Sequence, residues 1–123
     1  MKMNGFEDLL VWKKAHAWAL AVSQETKSFP KEKPYGLVSQ RRRAAVSIPA
    51  HIAEGYKRRS RKDYAHFVNR AHASLEESKY YFILSRDLAY HSTQTSERLI
   101  SDADEVGRML QGLHKALVTG VSK

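Results

Sequence analysis

Cysteine is absent from the 123 residues, so the chain has no disulfide framework, no thiolate zinc site and no cysteine nucleophile, which fits a reducing compartment. Long apolar runs are missing too: the longest, Ala17 to Val22, has six residues, against the roughly 20 that span a bilayer. Met1–Asp8 lacks the pattern of a secretory signal, and the expected location is cytoplasmic. Acidic residues are outnumbered, 13 Asp and Glu against 21 Lys and Arg, for a formal charge of +8, a bias that favours polyanionic partners. With 42% hydrophobic residues, the chain can bury one core and is too short for two ordinary domains, so residues 1–123 read as a single domain.

Six glycines and three prolines are few, and Pro30, Pro34 and Gly36 cluster, which places the first loop between Ser28 and Gly36. Before it, Leu9, Trp12, His16, Ala19, Val22 and Thr26 recur at spacings of three and four, predicting a helix over about 8–27. Leu37, Arg41, Ala44, Ile48 and Ile52 predict a second over about 35–56, kinked at Pro49, which lacks a backbone donor. Gly55 suits a helix C-terminus, and Ser60 to Asp63 has the spacing of a capping box. The third helix, about 61–90, carries Tyr64, Phe67, Ala71, Ser74, Ser78, Tyr81, Ser85 and Leu88 in a 3-4 repeat, a small and polar seam that permits close approach. After a Ser/Thr-rich break at 91–96, the fourth, about 96–118, repeats Leu99, Ala103, Val106, Leu110, Leu113 and Leu117. No segment alternates with strand period. Four helices with short connections predict an all-α, antiparallel up-down-up-down four-helix bundle.

The motifs carry a resemblance. Phe6, Asp8, Leu9, Val11, Trp12 and Ala15 fit F-x-D-L-x-V-W-x-x-A, and Phe29-Pro30 with Tyr35-Gly36-Leu37, Gln40 and Arg42 to Ala45 form a second block. Ser47 to Gly55 fits S-I-P-x-N-I-A-E-G, and Ser60, Asp63, Tyr64, Phe67, Ala71, Ser74, Leu75 and Glu76 make a fourth. Over residues 6–76 the chain resembles the bacterial four helix bundle proteins encoded within intervening sequences of large-subunit ribosomal RNA genes. It departs from them at His51, where the family usually has Asn, and near Lys33, where it often has Glu. The resemblance implies a ring-like homopentamer. It also implies similarity to the accessory proteins of diversity-generating retroelements, which bind a reverse transcriptase and nucleic acid.

Residues 31–70 hold eleven Lys and Arg against three acids, a local excess equal to the formal excess of the whole chain. In an up-down-up-down bundle, Lys13, Lys14, Lys57, Arg58, Arg59, Arg61, Lys62 and Lys115 are expected to share one end. Arginine forks and lysine point charges suit phosphate, and Tyr56 beside them suits stacking on an unpaired base. The plainer reading is that Lys57 and Arg58 complement a helix dipole and keep the surface solvated. Arg41 to Arg43 lie about 24 Å up the helix from Lys57 at 1.5 Å per residue. They fan around the axis, so at least one must meet a neighbouring helix or subunit, with Glu77 and Asp87 as candidate partners. Glu54 opposes the dipole at its helix end and calls for a cationic partner. Asp8, Trp12, Arg42, Arg43 and Glu54 are accordingly assigned structural or interface roles.

No catalytic constellation emerges. Asp63 and His66 have the carboxylate-histidine spacing of di-iron bundles, but such a core needs a second motif and two more carboxylates, so no metal or other cofactor is expected. No phosphate-binding glycine loop or nucleophile elbow occurs. Trp12, Trp18, Tyr80, Tyr81 and Phe82, at helical spacing, read as core or subunit contacts. Lys13 and Lys14 follow Trp12 directly, so the first helix separates its basic and aromatic faces too poorly for a membrane-surface helix. The sequence therefore reads as a non-enzymatic homo-oligomer that binds RNA or DNA electrostatically. The alternative is an assembly or adaptor protein whose basic residues contact subunits or a protein partner such as a reverse transcriptase.

Overall fold

The computed structural model describes residues 5–27, 37–90 and 92–119. A 3-10 turn at Phe6–Asp8 leads into four helices: α1 (Leu10–Thr26), α2 (Leu37–Tyr56), α3 (Arg61–Asp87) and α4 (Thr93–Thr119). The expected loop at 28–36 and the expected start of the second helix at 35–36 lie outside the described residues. Each helix packs against its sequence neighbour, and α4 closes back on α1, while the backbones of the diagonal pairs α1/α3 and α2/α4 stay apart and side chains bridge the first of them, Trp18 lying edge-on to Phe82 with ring centroids 5.6 Å apart. Cross-links run in opposite senses along every antiparallel pair they join. On α1 and α4, Lys14 meets Glu105 and Glu25 meets Arg98. On α3 and α4, Lys79 meets Asp104, whereas nearer the start of α3 a Cβ at Gly107 would lie 3.6 Å from His72. The result is an all-α up-down-up-down bundle; no described helix is long and apolar enough to cross a membrane.

The ends of the helices follow local chemistry. Ser60 caps α3, its Oγ accepting from the Asp63 N–H at 3.0 Å, as the Ser-x-x-Asp spacing predicts. Ser92 does the same for α4, accepting from the Thr95 N–H at 3.0 Å, so this helix begins at Thr93, inside the Ser/Thr-rich stretch read as a break. At the other end of α3, the Tyr90 N–H donates to the Ser85 carbonyl and the Ala89 N–H to that of Arg86, both at 2.9 Å. Ala89 takes φ 63°. These bonds form a Schellman motif that ends α3 at Asp87, short of the expected Tyr90. Pro49 sits inside α2 without dividing it, although it has no N–H to donate to the Ala45 carbonyl one turn back.

The core joins Val11, Ala15, Trp18 and Val22 of α1 to Ala45, Ile48 and Ile52 of α2, Val68, Ala71, Leu75 and Phe82 of α3, and Leu99, Ala103, Val106 and Leu110 of α4. The stripe expected for α2 is buried throughout, Arg41 included. Two other seams are corrected. In α1, Ala19, Val22 and Thr26 are buried as expected, but in its first half the face is turned, so Val11, Ala15 and Trp18 point inward, while Trp12 is half-buried and stacks on the exposed His16, ring centroids 4.9 Å apart. Trp18 can go inside because its indole N–H donates to the Leu99 carbonyl at 3.0 Å. In α3, Ala71, Ser78 and Ser85 are buried as expected. Ala65, Val68, Leu75 and Phe82 replace Tyr64, Phe67, Ser74 and Tyr81, whose rings and hydroxyls flank the core instead.

Candidate nucleic-acid interface

The turn between α2 and α3 is four residues long, 57–60, and its geometry starts at Gly55. A Cβ at Gly55 would lie 2.8 Å from the Phe67 Cβ and 3.0 Å from Tyr64 Cδ1, so only glycine lets the last turn of α2 come this close to α3. From there the chain turns at once: the Arg58 N–H donates to the Gly55 carbonyl at 3.0 Å. The Arg58 guanidinium then sits 4.4 Å over the Phe67 ring, with Arg70 at 5.5 Å from the same ring. Cation–π contact of this kind fixes the stems of both arginines while the charge stays in water.

Lys57, Arg58, Arg59, Arg61 and Lys62 are all exposed, and none forms an ion pair among the described residues. Several cations elsewhere are paired with acids. Lys14 pairs with Glu105 at 3.2 Å, Lys79 with Asp104 at 2.7 Å, and Arg98 with Glu25 at 2.9 Å. The hydrogen bond to Asp104 raises the Lys79 pKa against the smaller opposing effect of burial. These pairs lie along the flanks of the bundle, whereas in the α2–α3 turn five cations stand beside a single exposed acid, Asp63, with no ion pair among them.

Tyr56 is half-buried, its ring edge-on to Tyr64 with centroids 6.3 Å apart. Burial, and secondarily Tyr56, pushes the Tyr64 hydroxyl pKa up. Glu54 finds its partner on its own helix, the His51 Nδ1 at 3.1 Å from its carboxylate. The histidine that departs from the expected Asn thus meets the carboxylate one turn on, its ring 6.2 Å from Phe67.

Lys13 and Lys14 do not join this end, contrary to expectation. Glu105 stands 14 residues before the end of α4, about 21 Å at 1.5 Å per residue, so its partner Lys14 is held well up the bundle, and Lys13 beside it. The cause is length: α1 has 17 residues where α3 and α4 have 27 each. Lys115, in the last turns of α4, does belong to the basic end.

The arginine run separates cleanly. Arg41 is buried, 1% exposed, its guanidinium 3.9 Å over the Phe82 ring and donating to Ser85 Oγ at 3.2 Å. Burial lowers its pKa from 12.5 to about 9, with Glu25 acting in the opposite sense. Arg42 donates to Thr26 Oγ1 at 2.8 Å and to the Ser23 carbonyl at 3.3 Å, the position from which a cation complements the C-terminus of α1. Arg43 is exposed on the side of Tyr81, whose hydroxyl donates to Glu77 at 2.8 Å. The acids expected to hold this run are engaged elsewhere, Glu77 by Tyr81 and Asp87 by Arg86 at 3.1 Å. Serine and threonine hydroxyls take their place, a choice that charge counting cannot reveal. Asp8 lies in the 3-10 turn, its N–H donating to the Gly5 carbonyl, and Phe6 in the same turn meets Trp12 edge-on at 5.2 Å.

Among the described residues, no group of three or more His, Asp or Glu lies close enough to hold a metal ion. Asp63 and His66 are both exposed.

The profile of the 23S rRNA-intervening sequence protein family matches residues 7–112. No curated protein matches the sequence. Among solved structures, a protein of unknown function from the S23 ribosomal protein family of Bacteroides thetaiotaomicron superposes with a TM-score of 0.77. The two are 23% identical over 86% of this chain and 99% of that one, a likeness of fold.

Proposed function

The chain belongs to the 23S rRNA-intervening sequence protein family, and from that premise we propose that it is a non-enzymatic, cytoplasmic protein that binds RNA or DNA through the α2–α3 turn. One observation carries the reading. Five cations in six consecutive positions, Lys57 to Lys62, are exposed and without an acid partner among the described residues, although the same chain pairs Lys14, Lys79 and Arg98. Charge left unneutralised in one turn suits a row of phosphates, and nothing there reads bases directly. Arg41 and Arg42 take no part, since both are engaged between helices.

The test is binding to labelled structured RNA and duplex DNA across a salt series, with wild type and a variant carrying Gln at 57, 58, 59, 61 and 62. The expected result is affinity that falls steeply with salt in wild type, and loss of both affinity and slope in the variant. Wild-type protein that binds neither nucleic acid at low salt overturns the reading.

A second reading, an assembly or adaptor role, is favoured by the outer faces of α1 and α2. Leu10, Leu20 and Val46 are 60%, 53% and 53% exposed, and large apolar side chains left in water suit a protein contact. The assembly we propose is the ring-like homopentamer. Light scattering at micromolar concentration checks it, and a monomer overturns it.

A further inference from the structure

Beside the basic turn, α3 and α4 leave between them a groove of about 430 Å³, a volume in the range of small-molecule sites. From α3 it is lined by Lys62, Ala65, His66 and Asn69, at i, i+3, i+4 and i+7, one face of a helix. His114, Leu117 and Val118 line it from α4. Ala65 is buried and Leu117 half-buried, whereas Val118 is 58% exposed. The floor is thus apolar and the walls are two imidazoles and an amide. None of the seven lining residues makes an ion pair among the described residues.

We propose that this groove receives an unpaired nucleobase from a strand of RNA whose phosphates lie along the Lys57–Lys62 turn, an inference that rests on the nucleic-acid reading above. Three features fit one occupant. Flat heteroaromatic walls at His66 and His114 suit a stacked base, as aromatic and imidazole side chains do in single-strand recognition. The Asn69 amide offers a donor and an acceptor to a base edge. Lys62 belongs both to the groove and to the turn, so it joins a base site to a phosphate site without a gap.

Fluorescein-labelled hexaadenylate RNA and an otherwise identical abasic hexamer separate the two contributions by anisotropy at low salt. Wild type is expected to bind the base-bearing strand at least about 5-fold more tightly, the lower end of what stacking one base provides. His66→Ala with His114→Ala, the first exposed and the second half-buried, should erase that preference and leave abasic affinity unchanged, which also shows that the protein is folded. Asn69→Leu, which fills the groove from an exposed position with a side chain that cannot stack and removes the amide, should do the same. Equal wild-type affinity for the two strands, abolished by the five-glutamine variant, overturns the groove and leaves the phosphate-binding turn standing. Absence of binding to either strand overturns both.

Discussion

The Arg41 guanidinium lies 3.9 Å over the ring of Phe82, which places a charged group in the seam between α2 and α3 where the periodic pattern of α2 asks for an apolar one. Burial brings its pKa from 12.5 to about 9. Between those values the unfolded chain holds the proton that the folded chain has lost, so the contribution of this group to stability rises with pH. Lys79, Tyr64 and Tyr81, whose pKa values are raised in the fold, act in the opposite sense, losing stabilisation above their ordinary values.

Replacing Arg41 by Met removes only the first of these effects. At pH 7, Arg41→Met should be at least as stable as wild type, because a buried charge gives way to an apolar side chain of similar length. The advantage should shrink above pH 9 by up to about 1.4 kcal/mol per pH unit. Urea denaturation of both proteins from pH 7 to pH 11 checks this, the common lysine and tyrosine effects cancelling in the difference.

Arg42→Met should separate structure from function. It removes the donor to Thr26 Oγ1 and the Ser23 carbonyl and should cost about 1 kcal/mol of stability. Affinity and salt slope for RNA should stay as in wild type; a lower slope would place Arg42 among the phosphate contacts.

Gly55→Ala places a methyl group 2.8 Å from the Phe67 Cβ. Overpacking costs about 1–3 kcal/mol, against about 1 kcal/mol gained in helix propensity. A net destabilisation of about 1 kcal/mol is expected in thermal or urea melts, with weakened RNA binding as the turn that follows is displaced.

Ala89→Gly should stabilise. Ala89 holds φ 63° at the left-handed position of the Schellman motif, which costs an L-residue roughly 1–2 kcal/mol. Part of the relief is returned as chain entropy, leaving a gain of about 0.5–1 kcal/mol in a denaturant melt.

The sequence was most legible where one face alone is apolar. In α4, Leu99, Ala103, Val106 and Leu110 repeat with no competing stripe, and all four are buried. In α1 and α3 two stripes compete, and aromatic residues mislead, because Trp12, Tyr64 and Phe67 are the larger apolar groups yet sit at the flank beside His16, Tyr56 and Arg58. Small residues such as Ala15, Ala65 and Ser78 win the interior because close helix approach favours them. The basic turn was visible as a charge run; its separation from Lys13 and Lys14 was not, since it depends on the register that Lys14 and Glu105 set between distant segments. The α3–α4 groove left only the i, i+3, i+4, i+7 spacing of Lys62, Ala65, His66 and Asn69 as a signal.

The shortness of α1 has its own effect on how the molecule opens. Beyond the start of α1 at Leu10, α3 and α4 continue without it beside them, and Leu113 and Leu117 in the last turns of α4 are only half-buried. Backbone amides at that end are guarded by fewer apolar contacts than those around Trp18, Phe82 and Leu99. Local opening should therefore cost less free energy there than global unfolding, and amide hydrogen exchange is expected to run as a gradient along the bundle, fastest toward the turn that carries the charge and slowest around Trp18.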